Sequence, residues 1–280
     1  MKFIIFGNKG QLGKEFCKVF NDNKEEFIGY DLPEVDIFDY EKISNLIKNY
    51  KPDIIINCAS FNDVELAELN YNIAYRTNVE GVNNLVQLSK LYNIKFVHFS
   101  TDYIFDGVKK DLYTEVDLPN PLNKYGKSKL EGEKIISNNL SNFLIFRLSW
   151  LYGNGTQNFI YKILKISEKK DAIYVADDEV SIPTSTRLVV EVTNLALQNN
   201  LSGLFHITNV GATSRLNWVK EIYKIKNIEK KVLVAKMKDF NLKAVRPHFS
   251  AMDNKKIAEM LSIKIPSWEE ELYNFLIKNK

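Results

Sequence analysis

The sequence predicts an α/β protein built on a doubly wound parallel sheet, with a smaller α/β lobe beside it. Two observations carry this. Short apolar runs recur along the first half of the chain, each separated from the next by an amphipathic stretch of helical period. The runs are continuous rather than alternating, so both of their faces are buried. That is the pattern of parallel strands with helices on both sides.

The elements follow in order. Phe3 to Phe6 is a strand. Gln11 to Asn21 is a helix with Leu12, Phe16, Val19 and Phe20 on one face. Phe27 to Tyr30 is a second strand, ending at Asp31. Tyr40 to Tyr50 is a helix with Ile43, Leu46 and Ile47 inward, stopped by Pro52. Asp53 to Asn57 is the third strand, about Tyr71 to Asn93 one long helix, and Lys95 to Phe99 the fourth strand. A helix lies within Pro121 to Asn138, then a strand over Phe143 to Leu148 and a helix over Asn158 to Lys170. Ala172 to Ala176 is a strand, about Ser185 to Leu197 a helix and Gly203 to Thr208 a strand. The tail reads as a helix near Asn217 to Lys226, a strand over Val232 to Ala235, and helices near Asp253 to Leu261 and Ser267 to Ile277. The expected division is a nucleotide-binding domain from residues 1–149 plus about 175–212. The small substrate-binding lobe takes about 150–174 plus 213–280.

Composition excludes several classes. The 280 residues carry 38 basic and 35 acidic side chains, a net charge of +3. Near balance gives no reason to expect nucleic acid or an anionic membrane as partner. Apolar residues at 45% and charged residues at 26% argue for a folded globular chain. Two cysteines, Cys17 and Cys58, and three scattered histidines are too few for a disulfide scaffold or a zinc site, and no metal is expected. Met1-Lys2 precedes only four apolar residues before Gly7, too short for a signal peptide. No stretch approaches the ~20 apolar residues of a membrane span. A soluble, cytoplasmic protein is expected.

Gly7, Gly10 and Gly13 sit directly after the first strand and open the first helix. A phosphate site needs strand, tight turn and helix N-terminus in that order. Gly7 permits the turn, Gly10 lets backbone approach a pyrophosphate, and Gly13 allows close helix packing. Free N–H groups and the helix dipole then attract phosphate. Asp31, at the end of the second strand, accepts hydrogen bonds from an adenosine ribose and repels a 2′-phosphate, which favours NADH. Lys9 pulls the other way, so NADPH or NADH stays open. Asp36 and Ile37 flank the adenine or are plain surface residues. Gln11, Leu12, Ala59, Ser60 and Asn78 complete the candidate cofactor contacts.

Tyr125 and Lys129 are four apart and share a helix face. An ammonium beside a phenol lowers the phenol pKa from about 10 toward the working range, which makes tyrosine a general acid. The fourth strand runs into Ser100-Thr101-Asp102, where a hydroxyl beyond the strand end orients a substrate carbonyl or caps a turn.

With these residues in place, the sequence resembles the dTDP-4-dehydrorhamnose reductases of the extended short-chain dehydrogenase/reductase superfamily. The matching segments are GNKGQLG, STDYIFDG, NPLNKYGKSKLEGE, FRLSWLYG with Asn158-Phe159, Pro183-Thr184, Arg246-Pro247 with Ser250, and Pro266-Ser267-Trp268. The resemblance implies a Rossmann-type fold and NAD(P)H-dependent reduction of a 4-keto group on a nucleotide-linked 6-deoxysugar, in rhamnose-type sugar synthesis for cell-surface polysaccharide. It assigns Thr101, Tyr125 and Lys129 as the catalytic set. Trp150, Asn158 and Arg246 face the sugar nucleotide on this reading, and Asp102 and Phe105 join them as candidates. Trp150 stacks on the ligand or simply packs. Arg246 holds a pyrophosphate or forms a structural salt bridge.

The chain departs from the family pattern at Glu179 (usually Gln), Ser181 (usually Gly), Glu65 (usually Asp) and Leu66 (often Lys). Some relatives bind metal through glutamates at subunit contacts. Glu15 matches one such position, but no others are placed. Two other readings stay open. One is a sugar-nucleotide epimerase or dehydratase on the same fold, although the Asp-Glu pair that dehydratases use after the threonine is Asp102-Tyr103 here. The other is a non-catalytic nucleotide-binding regulatory subunit. A homodimer is one option for the assembly.

Overall fold

The computed structural model describes residues 1–278. Its centre is a six-stranded parallel sheet. The strands are β1 (Lys2–Phe6), β2 (Glu26–Tyr30), β3 (Ile54–Asn57), β4 (Lys95–Thr101), β5 (Phe143–Leu148) and β10 (Gly203–Ile207). In space they run β10-β5-β4-β3-β1-β2. The chain goes from β1 to β2 on one side and then returns to β3 on the other. The topological switch point therefore lies between β1 and β3, where open sheets bind ligands beyond the strand ends.

Helices cover both faces. One face of β1 sends Phe3 and Ile5 into a core with Phe16 and Phe20 of α1 (Gln11–Asp22) and Leu188, Val189 and Val192 of α8 (Thr186–Gln198). The other sends Ile4 and Phe6 toward Ile43 and Ile47 of α2 (Tyr40–Tyr50) and Val82, Leu85 and Val86 of α5 (Val82–Tyr92). This two-sided burial is why the strands read as unbroken apolar runs. Asp39 caps α2, accepting from Lys42 N at 3.1 Å. Lys51, left-handed at φ 53°, ends it before Pro52.

The expected single helix over about 71–93 is interrupted. It runs as α4 (Tyr71–Tyr75), a π-helical turn over Arg76–Gly81, and α5. A Cβ on Gly81 would lie 2.6 Å from the Ile37 side chain, so glycine lets the widened turn sit against that loop. Before it stands a short helix not foreseen, α3 (Val64–Leu69), started by Asp63, which accepts from Leu66 N at 2.9 Å.

Beyond the sheet, α6 (Lys124–Asn139) begins at Asn123, whose side chain accepts from Gly126 N at 2.9 Å. The chain leaves the sheet through Trp150, left-handed at φ 41°. The small lobe has its own core, in which Trp150, Tyr152, Ile160 and Val175 meet Trp218, Ile222, Trp268 and Leu272. Its elements are α7 (Phe159–Lys169), β7 (Ala172–Ala176), α9 (Arg215–Ile225), β12 (Lys231–Ala235) and α11 (Trp268–Lys278), with β7 and β12 pairing in parallel. The expected lobe boundaries need two corrections. A boundary at 175 cuts β7, whose five residues all pair with β12. α10 (Lys255–Leu261) belongs to the large sheet, because Ile257 and Ile265 are buried in the core beneath β10. The remaining short strands, β6 (Leu151–Tyr152), β8 (Val180–Ser181), β9 (Thr184–Ser185) and β11 (Thr213–Ser214), pair two by two and tie the lobe to the sheet. Among the described residues, no helix is long and apolar enough to cross a membrane.

Candidate active site

A cleft of ≈ 1670 Å³ runs past the carboxyl ends of β1, β3, β4 and β5 and on to the small lobe. At one end stands the glycine loop. Gly7 has φ +79°, and a Cβ there would lie 2.5 Å from Ala59 N, so side chains are excluded where β1 meets the end of β3. A Cβ on Gly13 would lie 2.1 Å from the Gly7 carbonyl oxygen, so Gly13 lies beneath the loop and not on the cleft. The N-cap of α1 is Gly10, which offers no capping side chain, and no acidic residue stands in the first turn. Gly10, Gln11 and Leu12 border the cleft. The leading N–H groups of the helix thus face it unneutralised, which suits a dinucleotide pyrophosphate.

Asp31 accepts from Lys9 N at 2.9 Å and Leu32 N at 2.8 Å. The Lys9 ammonium pairs with Glu34 at 2.9 Å instead. Asp36 pairs with Arg76 at 2.9 Å and, with Ile37, Ala59 and Ser60, borders the cleft. Asn78 does not. It is buried in the π-helical turn, where it accepts from Ser60 Oγ at 3.1 Å and Phe61 N at 2.9 Å and donates to Phe61 O and Ser128 Oγ, both at 2.9 Å. Its place in the candidate cofactor set is corrected to that of a residue holding the 60–61 segment.

Thr101, Tyr125 and Lys129 all border the same cleft. Thr101 ends β4; its hydroxyl donates to Asp102 Oδ1 at 3.3 Å and accepts from Tyr103 N at 3.2 Å. The Tyr125 ring lies edge-on to Tyr103, centroids 6.1 Å apart. Burial pushes the phenol up to about 12, a hydrogen bond with Thr101 pulls it down, and Asp102 adds a smaller push upward. The expected acidification of Tyr125 by Lys129 is therefore corrected. The lysine is drawn away, donating to Phe99 O at 2.6 Å, with Ser60 Oγ at 3.4 Å. Burial lowers its own pKa to about 8, with Glu133 and Cys58 acting against that shift.

On the substrate side several assignments change. Phe105 has no exposed surface and stacks on Tyr113 at 4.1 Å, so it is core and not a sugar contact. Asn158 borders the cleft, but its side chain caps α7 by accepting from Tyr161 N at 2.9 Å and donates to Gly153 O and Gly155 O. Its polar atoms are taken by backbone. Trp150 is 8% exposed, stacks with Trp218 and has the Arg215 guanidinium 3.6 Å over its ring, so packing prevails over ligand stacking. Asp102 is 2% exposed and accepts from Ser181 Oγ at 2.9 Å and Ser250 Oγ at 2.5 Å. Arg246 borders the cleft and pairs with Glu65 at 3.1 Å, the salt-bridge alternative.

One residue escaped the sequence reading. Arg215 borders the cleft, and Glu179 holds it through contacts of 3.3 Å from both Nε and NH2. Glu179 also accepts from Tyr103 OH at 2.9 Å. Three of the four departures from the family pattern are thus structural partners: Glu65 for Arg246, Glu179 for Arg215, Ser181 for Asp102. Glu15, noted in the sequence, receives the Thr186 hydroxyl at 3.3 Å.

Comparison with known proteins agrees with this architecture. The family model described as RmlD substrate binding domain matches residues 1–280. A dTDP-4-dehydrorhamnose reductase of Aggregatibacter actinomycetemcomitans is 31% identical over 287 residues, covering 98% of this chain and 97% of that protein. The crystal structure of a dTDP-4-dehydrorhamnose reductase from Clostridium acetobutylicum is 33% identical and superposes with a TM-score of 0.95, covering 99% of this chain and 98% of the other. That of the Bacillus anthracis dTDP-4-dehydrorhamnose reductase, in complex with NADP, is 31% identical with a TM-score of 0.95 and covers 99% of both chains. Matched along its whole length by the family model and by these relatives, the chain belongs to the RmlD family of dTDP-4-dehydrorhamnose reductases.

Proposed function

We propose that the protein uses NADPH or NADH to reduce the 4-keto group of a nucleotide-linked 4-keto-6-deoxysugar, dTDP-4-dehydrorhamnose or a close analogue, in the making of rhamnose-type sugars for surface polysaccharide. The observation that carries this is the convergence on one cleft of Thr101, Tyr125 and Lys129 with the uncapped N-terminus of α1. The relatives named for this reaction, one of them bound to NADP, support it.

The bound nicotinamide supplies a hydride. The residues do the rest. Backbone N–H groups at Gln11 and Leu12 hold the cofactor pyrophosphate, the Gly10 N–H being taken by the Gly7 carbonyl, and Asp31 receives a ribose hydroxyl. Tyr125, protonated because burial keeps its pKa high, gives its proton to the alkoxide oxygen forming at C4. Thr101 orients the phenol and the carbonyl oxygen. Lys129 pairs with a ribose hydroxyl once it swings from the Phe99 carbonyl. Arg215 and Arg246, each held by a glutamate, present positive charge to the sugar diphosphate. The small lobe built around Trp150 and Trp218 supplies the substrate half of the cleft.

The deciding experiment follows NAD(P)H oxidation over a panel of nucleotide 4-keto-6-deoxysugars, with product stereochemistry read by NMR. Stoichiometric consumption with a new C4 alcohol supports reduction. Conversion without net consumption supports an epimerase, and binding without turnover a regulatory subunit. A cytoplasmic setting belongs to this reading, and light scattering tests the homodimer.

A further inference from the structure

Lys129 sits in a pocket whose hydrogen-bonding partners can be assigned one by one. Its nitrogen has three polar neighbours among the described residues: Phe99 O at 2.6 Å, Ser60 Oγ at 3.4 Å and His98 Nε2 at 3.3 Å. The carbonyl oxygen only accepts. Ser60 accepts as well, because its own hydrogen goes to Asn78 Oδ1 at 3.1 Å. That Asn78 oxygen is fixed as an acceptor by Phe61 N at 2.9 Å.

His98 is the third neighbour, and Asn57 decides its tautomer. Asn57 and His98 stand opposite each other on paired β3 and β4. Asn57 Oδ1 accepts from Ala59 N at 3.1 Å, which turns its Nδ2 toward His98 Nδ1, also at 3.1 Å. An amide nitrogen there donates, so Nδ1 accepts and the proton of a neutral imidazole is on Nε2. His98 is neutral: it has no exposed surface, and burial, the larger cause, holds its pKa well below the usual histidine value, with the Lys129 charge adding to this whenever the lysine is protonated.

Two acceptors and one donor therefore surround Lys129. That set complements a neutral amine, with two hydrogens and a lone pair. It mismatches an ammonium, whose third hydrogen would face another N–H. We propose that His98 is a positioning residue, locked by Asn57 in its Nε2–H tautomer so that it receives Lys129 as an amine and releases it on protonation. The inference rests on Lys129 belonging to the catalytic set. The charged and titratable groups around the lysine agree with a balance near neutrality: Glu133 on its own helix and Cys58 after β3 favour the ammonium, while burial opposes it.

The test reads protonation in the full-length protein without ligands, so it stands or falls apart from turnover. Nitrogen NMR of ¹⁵N-histidine protein reports the tautomer, and ¹³Cε shifts of labelled lysine report Lys129. The expected result is Nε2 protonated and Nδ1 bare on His98 across pH 6–9, with the His98 signals moving at the Lys129 midpoint. A proton on Nδ1, or His98 signals indifferent to Lys129, overturns the proposal in the wild-type protein alone. In Asn57→Asp the new carboxylate accepts from Nδ1–H, Nε2 becomes an acceptor, and the Lys129 midpoint should rise by at least about one unit, a tenfold gain in proton affinity. The Asn57→Asp/His98→Met double variant keeps the added charge without the switchable ring and should rise less. Equal rises in the two variants overturn the role of His98.

Discussion

Tyr125 stands one helical turn before Lys129, yet the two side chains part: the tyrosine ring lies edge-on to Tyr103, while the lysine reaches the Phe99 carbonyl at 2.6 Å. The phenol is thus poised to give a proton and not to exist as phenolate, its pKa pushed up to about 12 by burial. Tyr125→Phe keeps the ring and removes the acid. Turnover should fall ~10²–10⁴-fold, the usual contribution of a positioned acid. Cofactor affinity, measured by NAD(P)H fluorescence, should stay within about twofold, because the phosphate-binding end of the cleft is untouched. Undiminished turnover removes Tyr125 from the mechanism.

Asp102 gives a pH prediction. Burial pushes its carboxyl from 3.8 up to about 6, against the pull of the Ser250 and Ser181 hydroxyls. Between those values the native protein holds a proton that the unfolded chain has released. The Asp102 contribution to stability is therefore present below about pH 4 and is lost as pH rises to about 6. Ser250→Ala removes one donor to the carboxylate. A hydrogen bond to a charged group is worth roughly 1.5–3 kcal/mol, so the midpoint should climb by about one unit or more. Carboxyl ¹³C NMR of Asp102 measures it, and an unmoved midpoint refutes the network.

The glycine loop makes a sharper claim about space. Gly7→Ala meets both a left-handed φ of +79° and a Cβ contact of 2.5 Å with backbone at Ala59. The strained backbone alone costs roughly 1–3 kcal/mol. The variant should unfold at lower urea and lose NAD(P)H binding, since relief requires β1 and β3 to part at the switch point. Normal cofactor binding in Gly7→Ala contradicts the placement of the pyrophosphate.

What the sequence made legible was local. Ala172–Ala176 is a strand as expected, and β4 merely extends beyond Phe99 to Thr101. The π-helical turn at Arg76–Gly81 was not legible, since six residues of wider helix hardly disturb an apolar stripe. In the site, the loop glycines and the Tyr125–Lys129 pair were read from spacing within one element. Arg215 was missed because only the fold brings it to Glu179, 36 positions away in the chain. Phe105 was misassigned, and Asn158 reaches the cleft with its polar atoms spent on backbone, for a related reason: a motif names a residue but not the direction of its side chain. The Lys129 rotamer illustrates the same point, since helical spacing places Cβ atoms and leaves the ammonium free to choose.

The buried pair beneath α6 yields the last prediction. Arg147 on β5 grips Glu133 through two contacts, Nε to Oε1 at 3.0 Å and NH2 to Oε2 at 2.8 Å, with both side chains 5% exposed. Arg147→Met leaves a carboxylate buried and unpaired, which typically costs about 3–5 kcal/mol. Removing both charges in Arg147→Met/Glu133→Leu should recover most of that loss, because desolvation of the pair offsets much of its attraction. Urea denaturation measures both variants, and a double variant no more stable than the single contradicts the account. The same double variant carries a functional consequence. Glu133 is the leading charge that favours protonated Lys129. Without it, the Lys129 midpoint should fall below about 8 in a protein that still folds, and the ¹³Cε titration should show that shift even where the urea curve has recovered.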